Sequence, residues 1–473
     1  MPAADPARDR FFRPHRKDRP MAIIAPAPRT ATAHRIARSA PAAAPSGRDR
    51  AVDLVRAACL LAVVGVHALM VGVSVSDGTV VLENALERWD GFTVFSWVAQ
   101  MMPLFFIMGG FASALHSRRM RARGASAAGY VSARLRRLLP VPLLAAAATA
   151  LALAGLSAAG LDPAMVATAG WRISQPLWFL GVYVLCSALV PLTLRLHERA
   201  PRATLLGLGL AIGAVDGLRL LTGVDAIGFA NLLLVWVFVQ QLGYRLADGI
   251  APSPRTAAIA IGGIVALVAI GASPANLFEA LNPPTAALAL LGIAQCALFA
   301  AVRPTLARWA ELPAVQRASD ALNSRAMTVY SWHMPVVVLL AGLLLVGGSA
   351  LPVPLSIEWW ATRPAWLVAA GLAVAPVVLA LARFERGPKR APVTVAGTAA
   401  ARAAERSPLA RAVLGTVAGA AGVLTVLVGT GALWAWIVGA ALMGAGLIAS
   451  RTGRAPATGR PVQKAKATPT STP

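Results

Sequence analysis

Runs of roughly 20 apolar residues recur along most of this chain, separated by short stretches rich in Gly, Pro and Arg. Each run is long enough to cross a hydrocarbon layer of ~30 Å as an α-helix, and it is apolar around its whole circumference instead of along one stripe. The runs are therefore spans and not amphipathic core helices. Their punctuation predicts helices over 51–75, 92–115, 138–157, 174–195, 203–221, 228–245, 256–272, 285–302, 326–346, 364–383, 412–429 and 432–450. The expected fold class is an all-α polytopic membrane protein with about 12 transmembrane helices. The fifth helix is interrupted by Asp216 and Arg219, and the last two form a Gly/Ala-rich hairpin turning near Gly429 to Gly431. No internal repeat and no matched pair of broken helices is evident.

The polar residues between the runs are unevenly shared. With the N-terminus inside, the even-numbered connections are cytoplasmic. They hold Arg118, Arg119, Arg121, Arg123, Arg134, Arg136 and Arg137, then Arg195, Arg199 and Arg202, with Arg303, Arg308, Arg317 and Arg325 further on. The odd-numbered connections are poor in Arg and comparatively acidic, with Asp77, Glu83, Glu87 and Asp90 in the first. Cytoplasmic loops retain Lys and Arg, so both termini are expected in the cytoplasm. Residues 1–49, rich in Ala, Pro and Arg, read as a disordered basic cytoplasmic tail, and 50–385 as the membrane domain. A cytoplasmic linker over 386–411, a transmembrane hairpin over 412–450 and a disordered basic tail over 451–473 complete the division. The hairpin holds no ionisable residue and is expected to be accessory.

Composition agrees with this class: 57% of residues are hydrophobic and 14% charged, and the mean hydropathy is +0.65. A net charge of +24 would suit a nucleic-acid partner, but the arginines lie between the apolar runs and in the tails, where retention of positive charge explains them. No nucleic acid is expected. Cys59, Cys186 and Cys296 all fall inside apolar runs without paired spacing, so neither a metal site nor a disulfide framework is supported.

Of six histidines, only His67 and His333 fall within spans. An ionisable residue inside a membrane helix is costly and marks a functional site by default, although a histidine bonded across helices for packing is the plain alternative. Arg56 and His67 are eleven residues apart, which at about 100° per residue returns to the same helix face ~16 Å further along the axis. One stripe of the first helix thus carries a cation low and an imidazole high.

At these residues a family resemblance enters. Asp53-Leu-Val-Arg56 opening the first helix, with ten residues between Arg56 and His67, resembles the signature of the acyltransferase 3 family of membrane-bound O-acyltransferases. Four further segments are similar in order: Pro103-Leu-Phe-Phe-Ile-Met-Gly-Gly-Phe111, Arg134-Leu-Arg-Arg137 with Pro140 beyond, Leu177-Trp-Phe-Leu180, and Tyr330-Ser-Trp-His333-Met-Pro335. Gly109 stands where a serine is common in relatives. The resemblance covers roughly residues 48–385 and makes this the ten-helix acyltransferase-like core, with the terminal hairpin as an addition.

The resemblance implies transfer of an acetyl or other short acyl group at the cell membrane, from acyl-CoA to a hydroxyl of a carbohydrate or another envelope or secreted acceptor. Acyl-CoA would be a substrate, with no bound cofactor or metal. A hydroxyl is a poor nucleophile until a base takes its proton, and imidazole suits that task near neutral pH, which makes His67 the expected base. Planar guanidinium forks bind phosphates well, so Arg134 and Arg137 are assigned to the donor, against the alternative that they are topological loop charges. Arg56 is expected to hold donor phosphate or steady a developing oxyanion, and Asp53 either orients Arg56 or caps the helix. His333 is expected to line the donor channel, with Tyr330 beside it or serving as an interfacial anchor. Trp178 would stack on a sugar or anchor at the interface. A multi-helix transporter of a small solute is the rival reading, in which Asp216 and Arg219 would be either its relay or a mutually neutralised pair near the outer end of their helix.

Overall fold

The computed structural model describes residues 48–76, 79–279, 281–349, 351–385 and 399–451. The expectations for both tails and for most of the linker lie outside these residues. Helix α1 (Arg50–Met70) leads into strands β1 (Val71–Ser76) and β2 (Thr79–Asn84). Then come α2 (Phe92–Ala99), α3 (Met102–Ala122), α4 (Ala127–Leu138), α5 (Pro140–Ala158), α6 (Pro163–Ser174), α7 (Leu177–Arg199) and α8 (Pro201–Thr222). Helices α9 (Asn231–Ala247), α10 (Pro254–Ala269), α11 (Ala286–Ala310), α12 (Pro313–Ser324), α13 (Ala326–Val346), α14 (Ile357–Leu381), α15 (Ala399–Val428) and α16 (Leu433–Ala449) follow. Helix α15 thus begins inside the segment expected to be a linker. Among the described residues, 10 helical stretches are long and apolar enough to cross a membrane, while α10 and α16 are apolar but only 16 and 17 residues long. This is a multi-pass membrane protein.

Three features depart from the sequence reading. The fold is not purely α-helical: β1 and β2 pair antiparallel from Val71 opposite Asn84 to Ser76 opposite Thr79, where the first helix was expected to continue. Two β-branched runs around Asp77-Gly78 carry a hairpin signal that an average over an apolar window passes over. Second, the expected helix over 92–115 is broken, and a further helix, α6, stands in the connection expected before the helix at 174. The α2–α3 break falls at Gln100, whose carbonyl accepts from Gln295 Nε2 at 2.6 Å and whose side-chain oxygen caps Met102 N at 3.2 Å. Helix α6 meets α7 at a break at Gln175-Pro176, where the Pro176 carbonyl accepts from Tyr330 Oη at 2.7 Å. Freed backbone groups inside a membrane protein need such internal partners, and a two-residue break barely changes mean hydropathy. Third, α12 was not anticipated; its Asn323 donates to the Asp53 carbonyl at 2.8 Å and so ties it to the start of α1.

Two sequence ambiguities are resolved by hydrogen bonds. Asp49, not Asp53, caps α1, accepting from Val52 N at 3.0 Å, while Asp53 pairs with Arg48 and stands 3.9 Å from Arg56 Nη1. Asp216 and Arg219 are not partners in a relay. The Asp216 carboxylate takes Ala286 N at 2.7 Å, capping α11, and Asn231 Nδ2 at 2.8 Å, whereas Arg219 donates to the Ala272 carbonyl at 3.1 Å.

One very close crossing in the core is α3 on α9. A Cβ on Gly243 would lie 2.1 Å from the Ile107 carbonyl oxygen, and one on Gly110 2.4 Å from that of Gln240, so glycine alone permits this backbone approach. The terminal pair α15–α16 packs against α4, α5 and α7 instead of standing apart.

Candidate active site

Helix α1 presents Arg56 and His67 to a cavity of about 3010 Å³ that both residues line. The His67 ring stacks on that of His333, with centroids 5.1 Å apart, and His67 Nδ1 lies 2.9 Å from His333 Nε2. His333 is fully buried; its Nδ1 lies 2.6 Å from the Tyr330 carbonyl oxygen. These contacts assign the tautomers. A carbonyl only accepts, so His333 Nδ1 carries the hydrogen and His333 Nε2 is the acceptor. His67 Nδ1–H must then be the donor. His67 Nε2 keeps its lone pair and makes no hydrogen bond to any described residue. A base whose second nitrogen is fixed by a partner is the arrangement that nucleophile activation requires.

One end of the same cavity is cationic. Arg56, Arg123, Arg134, Arg136, Arg137 and Arg451 line it. Arg134 Nη2 donates to Tyr183 Oη at 3.2 Å and its guanidinium lies 6.0 Å from the Tyr183 ring centre. The Nε atoms of Arg56 and Arg134 are buried without a hydrogen-bond partner. A carboxylate that lines the same cavity, Glu385, is already committed. It accepts from Met327 N at 3.2 Å, Thr328 N at 3.1 Å and Thr328 Oγ1 at 2.8 Å, capping the helix that carries His333. Buried cations left short of partners in a water-accessible cavity form a ready site for phosphate oxygens. The other end is polar and aromatic, with Glu87, Gln175, Asn276, Glu279, Phe95 and Phe278. Gln100 and Gln175 line the cavity as well, so both helix breaks open onto it.

The structure therefore brings His67, Arg56, Arg134, Arg137, Tyr330 and Trp178 to one cavity. His333 is placed differently from expectation: it stands behind His67, off the cavity wall where it was assigned to the donor, because α13 turns that face of its helix toward α1. Tyr330 ties α13 to the α6–α7 break through its hydroxyl and fixes His333 through its carbonyl. Asp53 is not a cavity residue. Trp178 packs 5.6 Å from the Trp236 ring, so one face of its indole is already covered. Sequence reasoning missed Tyr183 and Glu385. Tyr183 lies four residues after Phe179, on the face that Leu177-Trp-Phe-Leu180 turns inward, and that spacing was the available signal. For Glu385 there was none, since capping across 57 residues leaves no local pattern.

A bundle of apolar helices around a cavity, with a free imidazole nitrogen at depth and a cluster of guanidinium groups without full hydrogen bonding at one end, defines a membrane-embedded transferase or carrier. The chain belongs to the acyltransferase 3 family, whose acyltransferase domain matches residues 49–383. No curated protein and no solved structure matches the chain. Membership makes this protein a membrane acyltransferase.

Proposed function

We propose that this protein moves a short acyl group from acyl-CoA to a hydroxyl of a carbohydrate or another envelope or secreted acceptor, with His67 as general base. The carrying observation is the His67–His333–Tyr330 chain, which leaves His67 Nε2 open in the cavity that Arg56, Arg134 and Arg137 share. CoA phosphates would rest on Arg56, Arg134 and Arg137, and the pantetheine arm would run the ~16 Å that separates Arg56 from His67. His67 Nε2 takes the acceptor proton as the hydroxyl oxygen attacks the thioester carbonyl carbon. The tetrahedral intermediate collapses, the carbon–sulfur bond breaks, and the CoA thiolate leaves with the proton that the imidazolium returns. His333 Nε2 accepts from His67 Nδ1–H throughout and supports the imidazolium while it exists.

The topology of this reading has the basic mouth in the cytoplasm, with both chain ends beside it and 12 spans in the cell membrane, counting α10 and α16. The broken helices also suit a carrier, since discontinuous helices line transport sites. Family membership and the base–orienter pair favour the enzyme.

Sealed membrane vesicles of known orientation test it. Labelled acyl-CoA on the cytoplasmic face should yield esterified acceptor on the far side, with free CoA retained on the donor side. Solute accumulation without any new ester would overturn the reading, as would transfer undiminished in the His67→Ala protein.

A further inference from the structure

The family match ends at residue 383, yet the cavity wall does not. Pro408, Leu424, Leu427, Val428 and Arg451, all from the terminal hairpin, line the same space as His67. We infer that the α15–α16 hairpin is the acyl-chain wall of this enzyme, and that Leu424, Leu427 and Val428 set the chain length that it accepts. The inference rests on the acyl-CoA reading and adds to it a specificity element beyond the family-matched domain.

Helix geometry comes first. Positions 424, 427 and 428 fall at i, i+3 and i+4, one face of α15. The flanking Val423 and Val426 are fully buried and face other elements: a Cβ on Gly181 of α7 would lie 3.4 Å from Val423 Cγ1, and one on Gly439 of α16 2.4 Å from Val426 Cγ2. With those directions taken, the Leu424 face is the one turned to the cavity. The face cannot rotate easily, because Gly431 at the hairpin tip abuts α6, where a Cβ would stand 2.0 Å from the Ala167 carbonyl oxygen.

Depth follows from the same contacts. Val423 is level with Gly181 and Gly431 with Ala167 and Trp171, so residues 424–428 lie opposite the α6–α7 break. Pro176, Trp178 and Phe179 line the cavity there. That break is bound to the base: Tyr330 Oη holds the Pro176 carbonyl, its ring lies 5.2 Å from that of Phe179, and its own carbonyl orients His333 behind His67. The three aliphatic side chains therefore stand at the height of the reacting carbonyl. The far end of the hairpin marks the other end of the donor. Arg136 donates to the Ser450 carbonyl at 3.0 Å, which sets Arg451 in the cationic mouth. One helix pair thus reaches from the phosphate end to the acyl end.

An acyl group held at His67 by its carbonyl projects its methylenes against whatever apolar surface lies beside it. Leu, Leu and Val offer that surface, together with Trp178 and Phe179 opposite. Each methylene buried there should tighten binding about fourfold, until the wall is used up.

The test is equilibrium binding of CoA, acetyl-CoA, butyryl-CoA and octanoyl-CoA to full-length purified protein in detergent. Wild type should gain affinity over CoA as the chain grows, up to a limiting length. Leu427→Trp should shorten that limit, and Leu427→Asn should cut the gain per methylene at least twofold, while affinity for CoA itself stays unchanged and certifies the fold of both variants. A chain-length profile identical to wild type in both variants, or equal loss for CoA and every acyl-CoA, would overturn the hairpin assignment and leave the donor reading intact. Failure of wild type to bind CoA at all would overturn both.

Discussion

Two histidines inside this helix bundle, His197 and the half-buried His67, sit in hydrogen-bond networks of similar size and opposite meaning. His197, near the end of α7, has both ring nitrogens engaged: Nδ1 with Gln241 Oε1 at 3.0 Å and Nε2 with Asp248 Oδ2 at 2.9 Å. Gln241 is turned so that its amide nitrogen donates to the Thr193 carbonyl at 3.1 Å, and Asp248 also accepts from Arg118 at 2.7 Å. Every polar group there is satisfied, and the network bolts α3, α7 and α9 together. The His67 network closes at one side only. Its chain runs inward to a backbone carbonyl and ends outward at a nitrogen that has no partner among the described residues but does have a cavity. A fully satisfied buried histidine holds a fold, whereas one left half-satisfied beside open space is available to a substrate.

Exchanging the two lesions breaks or sustains that contrast most sharply. His67→Ala should cost at least ~10²-fold in transfer rate with near-normal folded yield, since a positioned base contributes on that scale. His197→Ala should do the reverse. It strands Gln241 and Asp248 in a site where His197 was 2% exposed, and should cost about 2 kcal/mol of stability while each surviving folded molecule stays active. Rates normalised to folded protein from size-exclusion profiles separate the outcomes. If both variants lost yield alike, the two networks would be equivalent and the base assignment would fall.

The sequence singled out residues of the His67 network and passed over that of His197, for a physical reason. Membrane depth is legible from apolar runs, so His67 and His333 stood out as costly residues inside spans, and His197 looked ordinary at a helix end. That the two intramembrane histidines touch was not legible. They lie 266 residues apart, and the register of α1 against α13 depends on α12 and the Glu385 cap, neither of which leaves a local pattern. The succession of long apolar helices was readable because hydropathy averages well. The break at Gln100, helix α6 ahead of Gln175 and the hairpin after Met70 were not, because each turns on a few residues inside or beside an apolar stretch. The terminal hairpin was read as accessory from its lack of ionisable groups, but what it brings to the cavity wall is mainly aliphatic.

A second prediction sharpens the role of the inner partner. His333→Ala removes the acceptor that holds His67 Nδ1–H, and should lower kcat about tenfold or more while leaving KM for acyl-CoA unchanged. His333→Gln should recover part of the loss, because its amide oxygen can accept the same hydrogen. A rise in KM with kcat preserved would return His333 to the donor channel and detach it from His67.

The arginines divide in the same way as the histidines. Arg121 is bidentate with Glu198, at 2.8 Å and 2.9 Å, and neither it nor Arg119 reaches the cavity, whereas Arg134 and Arg137 line it without a carboxylate partner. Arg134→Ala and Arg137→Ala should each weaken CoA binding about tenfold, the scale of one lost charge-assisted contact. Arg119→Ala and Arg121→Ala should change it less than twofold. Equal effects across the four variants, read by calorimetry, would mean that the charges serve topology alone.

The smallest effect expected is a difference in acid sensitivity between the two networks. Asp248 lies just beyond the α9 span. Burial disfavours its charged form, but the hydrogen bonds from Arg118 and His197 outweigh that and hold its carboxyl below the usual carboxylate range. A carboxyl depressed in the folded state binds its proton more weakly there than in the unfolded chain. The stability it lends is therefore complete above the ordinary value of ~3.9 and drains away as the pH falls through that value toward the lower folded one. Melting temperatures of the detergent-solubilised protein should drop more between pH 6 and pH 3.5 for wild type than for Asp248→Asn, which lacks the titration. The His67–His333–Tyr330 chain contains no carboxylate, so His333→Gln should keep the wild-type slope across the same interval. Parallel curves for wild type and Asp248→Asn would show that the Arg118 and His197 contacts lend the folded state nothing that depends on this charge.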